Sequence, residues 1–139
     1  MSKEQNIAAA IKFGDAVNSG KLDGLREVIA TNAVDHDPSP DQGVGPEGFI
    51  RMFAGFRAAF PDLHVDVDKL VVDDDNVCFA YTMTGTHQGE FLGVPGTGRK
   101  FKARGLQISR FENGKMVERW GSSDQLGILQ QIGVLAKNA

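Results

Sequence analysis

"KFKARGLQISRFENGKMVERWGSSD", Lys100 to Asp124, reads as two alternating strands around an Asn113-Gly114 pair. Asn-Gly between such runs is a strong hairpin signal, because both residues tolerate the positive φ that a type I′ turn demands. A two-residue turn also fixes the register: Glu112 faces Lys115, Ser109 meets Glu118, Gln107 meets Trp120, Gly105 meets Ser122 and Ala103 meets Asp124. Side chains alternate along a strand, so the pairs from Ser109 and Glu118 onward share one face with Phe101, Phe111 and Met116. The other face carries Lys102, Arg104, Arg110, Glu112, Lys115 and Arg119, interrupted by Leu106 and Ile108, and reads as a solvated or subunit-contacting surface. Glu118 is misplaced in this register, between Met116 and Trp120. A β-bulge there would turn it outward and shift every residue beyond it.

Moving upstream, "LHVDVDKLVV" alternates apolar and polar residues, "DDDN" turns, and "VCFAYTMTGTH" forms a long strand rich in β-branched and aromatic residues. Before these strands the period becomes helical. Ile7, Ile11 and Val17 fall on one stripe that Ser19-Gly20 ends, and Leu22, Leu25, Val28 and Ile29 suggest a second short helix. After the turn-rich "NAVDHDPSPDQGVG", Pro46 opens a third, with Phe49, Phe53, Phe56 and Phe60 on one face until Pro61. "DQLGILQQIGVL" closes the chain as a short helix. Helices followed by a run of antiparallel strands define an α+β fold, one curved sheet packed against N-terminal helices in a single domain spanning 1–139.

With 139 residues the chain is long enough for one real core. A formal net charge of −3 provides no basic field for a phosphate backbone, so nucleic acid is not an expected partner. The single cysteine, Cys78, leaves no internal disulfide and no multi-cysteine metal site. The N-terminal stretch lacks the apolar core of a secretory signal, and no apolar run approaches the ~20 residues of a membrane span. The expectation is a cytoplasmic protein that does not engage a membrane.

The loop "GEFLGVPGTGRKF", Gly89 to Phe101, has glycines near the spacing of a phosphate-cradling loop. Such a loop needs a following helix whose N-terminal amides face the phosphate, and Gly-Lys-Ser/Thr at its end. Here Arg99-Lys100 leads directly into a strand, so no nucleotide is expected. The loop reads as a strand connection near a pocket mouth, with His87, Glu90 and Phe91 on its leading side.

The mixed apolar and polar face of the hairpin is the candidate pocket wall. Asp124 ends that row near Trp120 and Gln107, where partial desolvation would raise its pKa and strengthen it as a base toward a proton α to a carbonyl. Asp124 or Ser123 also stands where the N-cap of the last helix belongs. Phe53 on the third helix can line a ligand cavity as well as pack the core. Asp35, His36 and Asp37 are adjacent in the chain, a poor arrangement for one coordination sphere, and turn chemistry accounts for them; no metal is expected. Nothing supports a serine or cysteine nucleophile.

Three segments, "GPEGFIRMFAGFRAAFPDLHVDVD", "YTMTGTHQGEFLGVPGTGRKF" and "ISRFENGKMVERWGSSDQLGILQQIG", closely resemble the SnoaL-like polyketide cyclases of the NTF2-like superfamily of cone-shaped α+β barrels. The resemblance runs from about Ile7 to Val134. It implies a cofactor-free and metal-free cyclase or lyase that closes a ring by intramolecular aldol condensation, with Asp124 as acid/base. It further implies a hydrophobic, carbonyl-rich small-molecule ligand and a homodimer. Gln107 and His87 would steady the oxygen that gains charge. Trp120, His36, Phe91, Phe53 and Tyr81 complete the candidate pocket. Some members bring a histidine to the strand where "GLQISRF" offers Gln107 and Ser109. An epoxide hydrolase of this fold would need an Asp-Arg-Asp set, and the hairpin register turns Arg104 and Arg110 away from Asp124. A steroid isomerase would need a pocket tyrosine, for which only Tyr81 is present. A non-catalytic binding domain is the alternative from a different functional class.

Overall fold

The computed structural model describes residues 3–135. Helix α1 (Lys3–Ser19) is followed by a 3₁₀ turn (Leu22–Gly24), α2 (Leu25–Val28), β1 (Ile29–Asp35), α3 (Gly45–Ala59), β2 (His64–Val72), β3 (Asn76–Thr86), β4 (Lys100–Glu112), β5 (Lys115–Ser123) and α4 (Gln125–Gln131). The α+β class is as expected. The five strands lie in the order β1-β5-β4-β3-β2, a sheet that stays open between its edges β1 and β2.

Strand β1 was not foreseen. The periodicity expects a helix ending at Ile29 and a turn-rich passage after it, yet Ile29–Asp35 pairs parallel to β5. Its alternation is weak because Ala33 is fully buried while Val34 is 45% exposed, so the segment gains its extended form from the neighbouring strand.

The Asn113-Gly114 turn forms as expected, with φ of 53° and 77°. Glu112 faces Lys115 and Phe111 faces Met116, after which the register shifts: Arg110 pairs with Glu118, Ser109 with Arg119, Ile108 with Trp120, Gln107 with Gly121 and Gly105 with Ser123. Val117 is the extra residue. The pairings expected for Ser109, Gln107 and Gly105 are therefore each displaced by one, β5 ends at Ser123 before Ala103 could pair with Asp124, and a one-residue slip reverses every side chain beyond it. Glu118 gains the outward position it needs, beside Arg110 and His36. Arg119 turns inward and Trp120 outward.

Two apolar clusters hold the helices to the sheet. Phe13 and Val17 of α1, Leu25 and Val28 of α2, Ile29 of β1 and Phe49 of α3 pack with Val77, Phe111 and Met116; Phe60, Leu63, Tyr81, Met83, Phe101, Ala103, Ile128 and Ile132 form the second. Burying side chains of this size is worth about 1.5–3 kcal/mol each. Asn18, at the end of α1, is tied to β2 by reciprocal bonds, accepting from the Val65 amide at 2.8 Å and donating to the Val65 carbonyl at 3.0 Å. This clip holds α1 against the sheet edge at the cavity wall.

Candidate functional site

A cavity of about 700 Å³ is lined by members of both clusters. Its walls include Phe13 and Val17 from α1, Phe53 and Phe56 from α3, Val65, Phe79, Tyr81 and Met83 from the sheet, and Gln107, Arg119 and Asp124 as polar groups. Ile11, Val67, Leu70 and Leu126 also line it although each is 44–58% exposed, so the mouth carries an apolar rim. Mostly apolar walls with a few convergent polar groups are the usual form of a small-molecule site.

Asp124 stands on the cavity wall and is the N-cap of α4, its Oδ1 accepting from the Gly127 amide at 2.9 Å. Its residue is exposed, so the expected desolvation is not found. The two placements are compatible because a capping carboxylate uses one oxygen and keeps a second. Gly127 makes room for it: a Cβ there would collide with the Asp124 carboxylate, which gives Asp-x-x-Gly a steric reason.

Gln107 is buried on the cavity wall, and Tyr81 and Phe53 line it too. Tyr81 lies across β4 in space that Gly105 leaves free, since a Cβ at 105 would meet its ring and hydroxyl. Burial pushes the phenol pKa up, against smaller lowering effects of the Arg119 charge and a hydrogen bond with Ser123.

Four expected pocket residues lie elsewhere. Trp120 is turned outward by the Val117 bulge and stacks on His36, ring centroids 4.7 Å apart. His36 Nε2 sits 2.8 Å from Glu118 Oε2; His36 and Arg110 together hold the Glu118 carboxyl below the usual carboxylate range. His87 is fully buried, its Nδ1 3.0 Å from the Thr97 hydroxyl, against Phe60 and Phe91. Phe91 packs on Phe56 and Phe60 and is not on the cavity wall. The glycine-rich loop thus folds onto the second cluster, with the Gln88 and Gly89 amides both donating to the Ala59 carbonyl.

Arg119 and Asp35 are what sequence reasoning missed. Arg119 Nη1 donates to both oxygens of Asp35 at 3.0 Å, and Nε donates to Gln107 Oε1 at 2.8 Å. The Asp35 side chain is 1% exposed and also accepts from the Gln42 amide and the Asp37 backbone N–H, each at 3.0 Å. The misplaced Glu118 was the available signal for Arg119; nothing in the turn-rich segment pointed to Asp35. Asp35, His36 and Asp37 diverge, to Arg119, to Glu118 and to the Gly121 amide. Among the described residues no three His, Cys, Asp or Glu side chains gather as a metal-holding group, and no helix is long and apolar enough to cross a membrane.

A family model described as SnoaL-like polyketide cyclase matches residues 8–132. The aklanonic acid methyl ester cyclase DnrD of Streptomyces peucetius is 28% identical over 125 residues, which are 86% of this chain and 84% of that protein. Among solved structures, TsrD from Streptomyces laurentii superposes with a TM-score of 0.88 at 27% identity, covering 97% of this chain and 99% of that one. IdmH from Streptomyces antibioticus gives 0.81 at 36% identity, covering 93% and 99%.

Proposed function

The chain belongs to the SnoaL-like polyketide cyclase family, with its NTF2-like α+β fold, and we propose that it closes a ring in a hydrophobic, carbonyl-rich small molecule by cofactor-free acid/base catalysis at Asp124. The observation that carries this reading is a carboxylate on the wall of a mostly apolar cavity large enough for a polycyclic ligand. In the proposed reaction the Asp124 carboxylate removes a proton α to a carbonyl. The resulting enolate carbon attacks a second carbonyl carbon of the same molecule, and the new alkoxide takes its proton back from the Asp124 carboxyl. Proton and electron pairs balance with no further reagent. The apolar rim of Ile11, Val67, Leu70 and Leu126 suits a flat, poorly soluble substrate.

The test uses aklanonic acid methyl ester, the compound in the name of the DnrD relative. Ring closure is followed by liquid chromatography and mass spectrometry with the wild type and Asp124→Asn, a change that keeps a capping oxygen. Loss of kcat by about 100-fold or more is expected. A variant that retains kcat within a few-fold would remove Asp124 from the chemistry.

An epoxide hydrolase of the same fold is less well supported. Arg119 now supplies the cavity arginine such a site needs, but Asp35 is sealed behind it, with both oxygens engaged by Arg119 and the loop, and is not on the cavity wall. A binding domain without catalysis would show ligand affinity and no turnover in the same assay. Completing the proposal, the unit is one domain over 1–139, of which residues 1–2 and 136–139 lie outside the described residues; it works in the cytoplasm and pairs through the outer face of its sheet.

A further inference from the structure

We propose that Arg119 is the receptor for a substrate carbonyl oxygen, so that the cavity selects neutral polycyclic ketones over hydrocarbons of the same shape; this rests on reading the cavity as the substrate site. A guanidinium has five N–H donors in a fixed fork. In Arg119 the Nε donor is taken by Gln107 and Nη1 by Asp35, while Nη2 donates to no partner among the described residues. The side chain keeps 11% exposure and lines the cavity. Glycine at 121 lets the guanidinium lie close along the β5 backbone, since a Cβ there would be 2.5 Å from Nη2 and 2.7 Å from Cζ.

The fork is also held in place before any ligand arrives. Asp35 fixes one side, and Gln107, whose own Nε2 donates to Ser109 Oγ at 3.1 Å, presents its oxygen to Nε. Donors already oriented need no reorganisation when a partner oxygen arrives. A carbonyl placed among Phe53, Phe79 and Met83 without a donor would carry an unmet hydrogen bond, which is costly in apolar surroundings. Arg119 is the one basic side chain among the described cavity-lining residues, where Asp15, Asp37 and Asp124 add negative charge, and its own charge is countered by Asp35. That balance favours a neutral carbonyl over a carboxylate ligand.

Two probes of the same outline, fluorene and 9-fluorenone, differ in one carbonyl. Equilibrium dialysis should show the wild type binding fluorenone about tenfold more tightly than fluorene, the gain typical of a hydrogen bond to a charged donor. The infrared carbonyl band of bound fluorenone should move to lower frequency. Arg119→Met should abolish the preference and the band shift while fluorene still binds. If both probes bind the wild type equally, with no band shift, Arg119 is not the receptor although the cavity is a ligand site. If neither binds, the substrate-cavity reading fails and the proposal fails with it. Should Arg119→Met not fold, because Asp35 is left buried without its partner, Arg119→Lys decides. Lysine keeps the charge beside Asp35 but not the fork, so an unchanged preference in that variant would overturn the proposal.

Discussion

Tyr81 is the only tyrosine in the chain, so its ionisation can be followed without interference by absorbance near 295 nm. Its burial over Gly105 raises the pKa above the ordinary value near 10, because the phenolate would be desolvated. The folded state then holds this proton more tightly than the unfolded state does. The stabilisation is fully present below pH 10 and falls as the pH rises past the unfolded value toward the folded one. An absorbance midpoint at or below 10 in the folded protein would show that the phenol is well solvated. Tyr81 was expected at the pocket from the sequence, but its posture was not, since that depends on the partner strand having a glycine opposite it.

The element that decides the site is the hairpin of β4 and β5. Its turn was legible from Asn113-Gly114, and the buried alternation of β4, through Phe101, Ala103, Gln107, Ser109 and Phe111, followed from the period. The misplaced Glu118 pointed to a bulge beside it, and the extra residue, Val117, exchanges Trp120 for Arg119 on the cavity side. Arg119→Met should leave Asp35 buried without its cation. Removing one partner of a buried pair costs about 3–5 kcal/mol, so urea unfolding should show a loss of about that size. Unchanged stability would mean that the pair of Arg119 with Asp35 does not help to hold β5 in this register.

Across the whole molecule, the bulge also builds the outer face. Val71, Cys78, Ile108 and Trp120 pair in sequence across β2, β3, β4 and β5, and Val71, Ile108 and Trp120 are 59%, 43% and 38% exposed, with Leu106 beside them at 57%. A contiguous apolar stripe of this kind is a common basis for association. Light scattering in line with size exclusion is expected to give about twice the 15.0 kDa chain mass. The double substitution Leu106→Glu and Ile108→Glu should bring it to one. A wild type that elutes as a single chain at all concentrations would remove the dimer from the proposal.

What the sequence determined by itself is local. Helical and strand periods, the Asn-Gly turn, the Gly-Pro loop that enters a strand instead of a helix, and the cap position of Asp124 all follow from neighbours a few residues apart. These were enough for the α+β class and for placing Asp124, Gln107, Phe53 and Tyr81 on one side. Tertiary structure decided the rest. Whether Ile29–Asp35 is a strand depends on β5 being beside it, and which of Arg119 and Trp120 faces inward depends on satisfying Glu118 outside and Asp35 inside. Charges buried or exposed by distant partners carry no periodic signal in the chain. The inward arginine of this cavity is settled by Asp35, a residue 84 positions away.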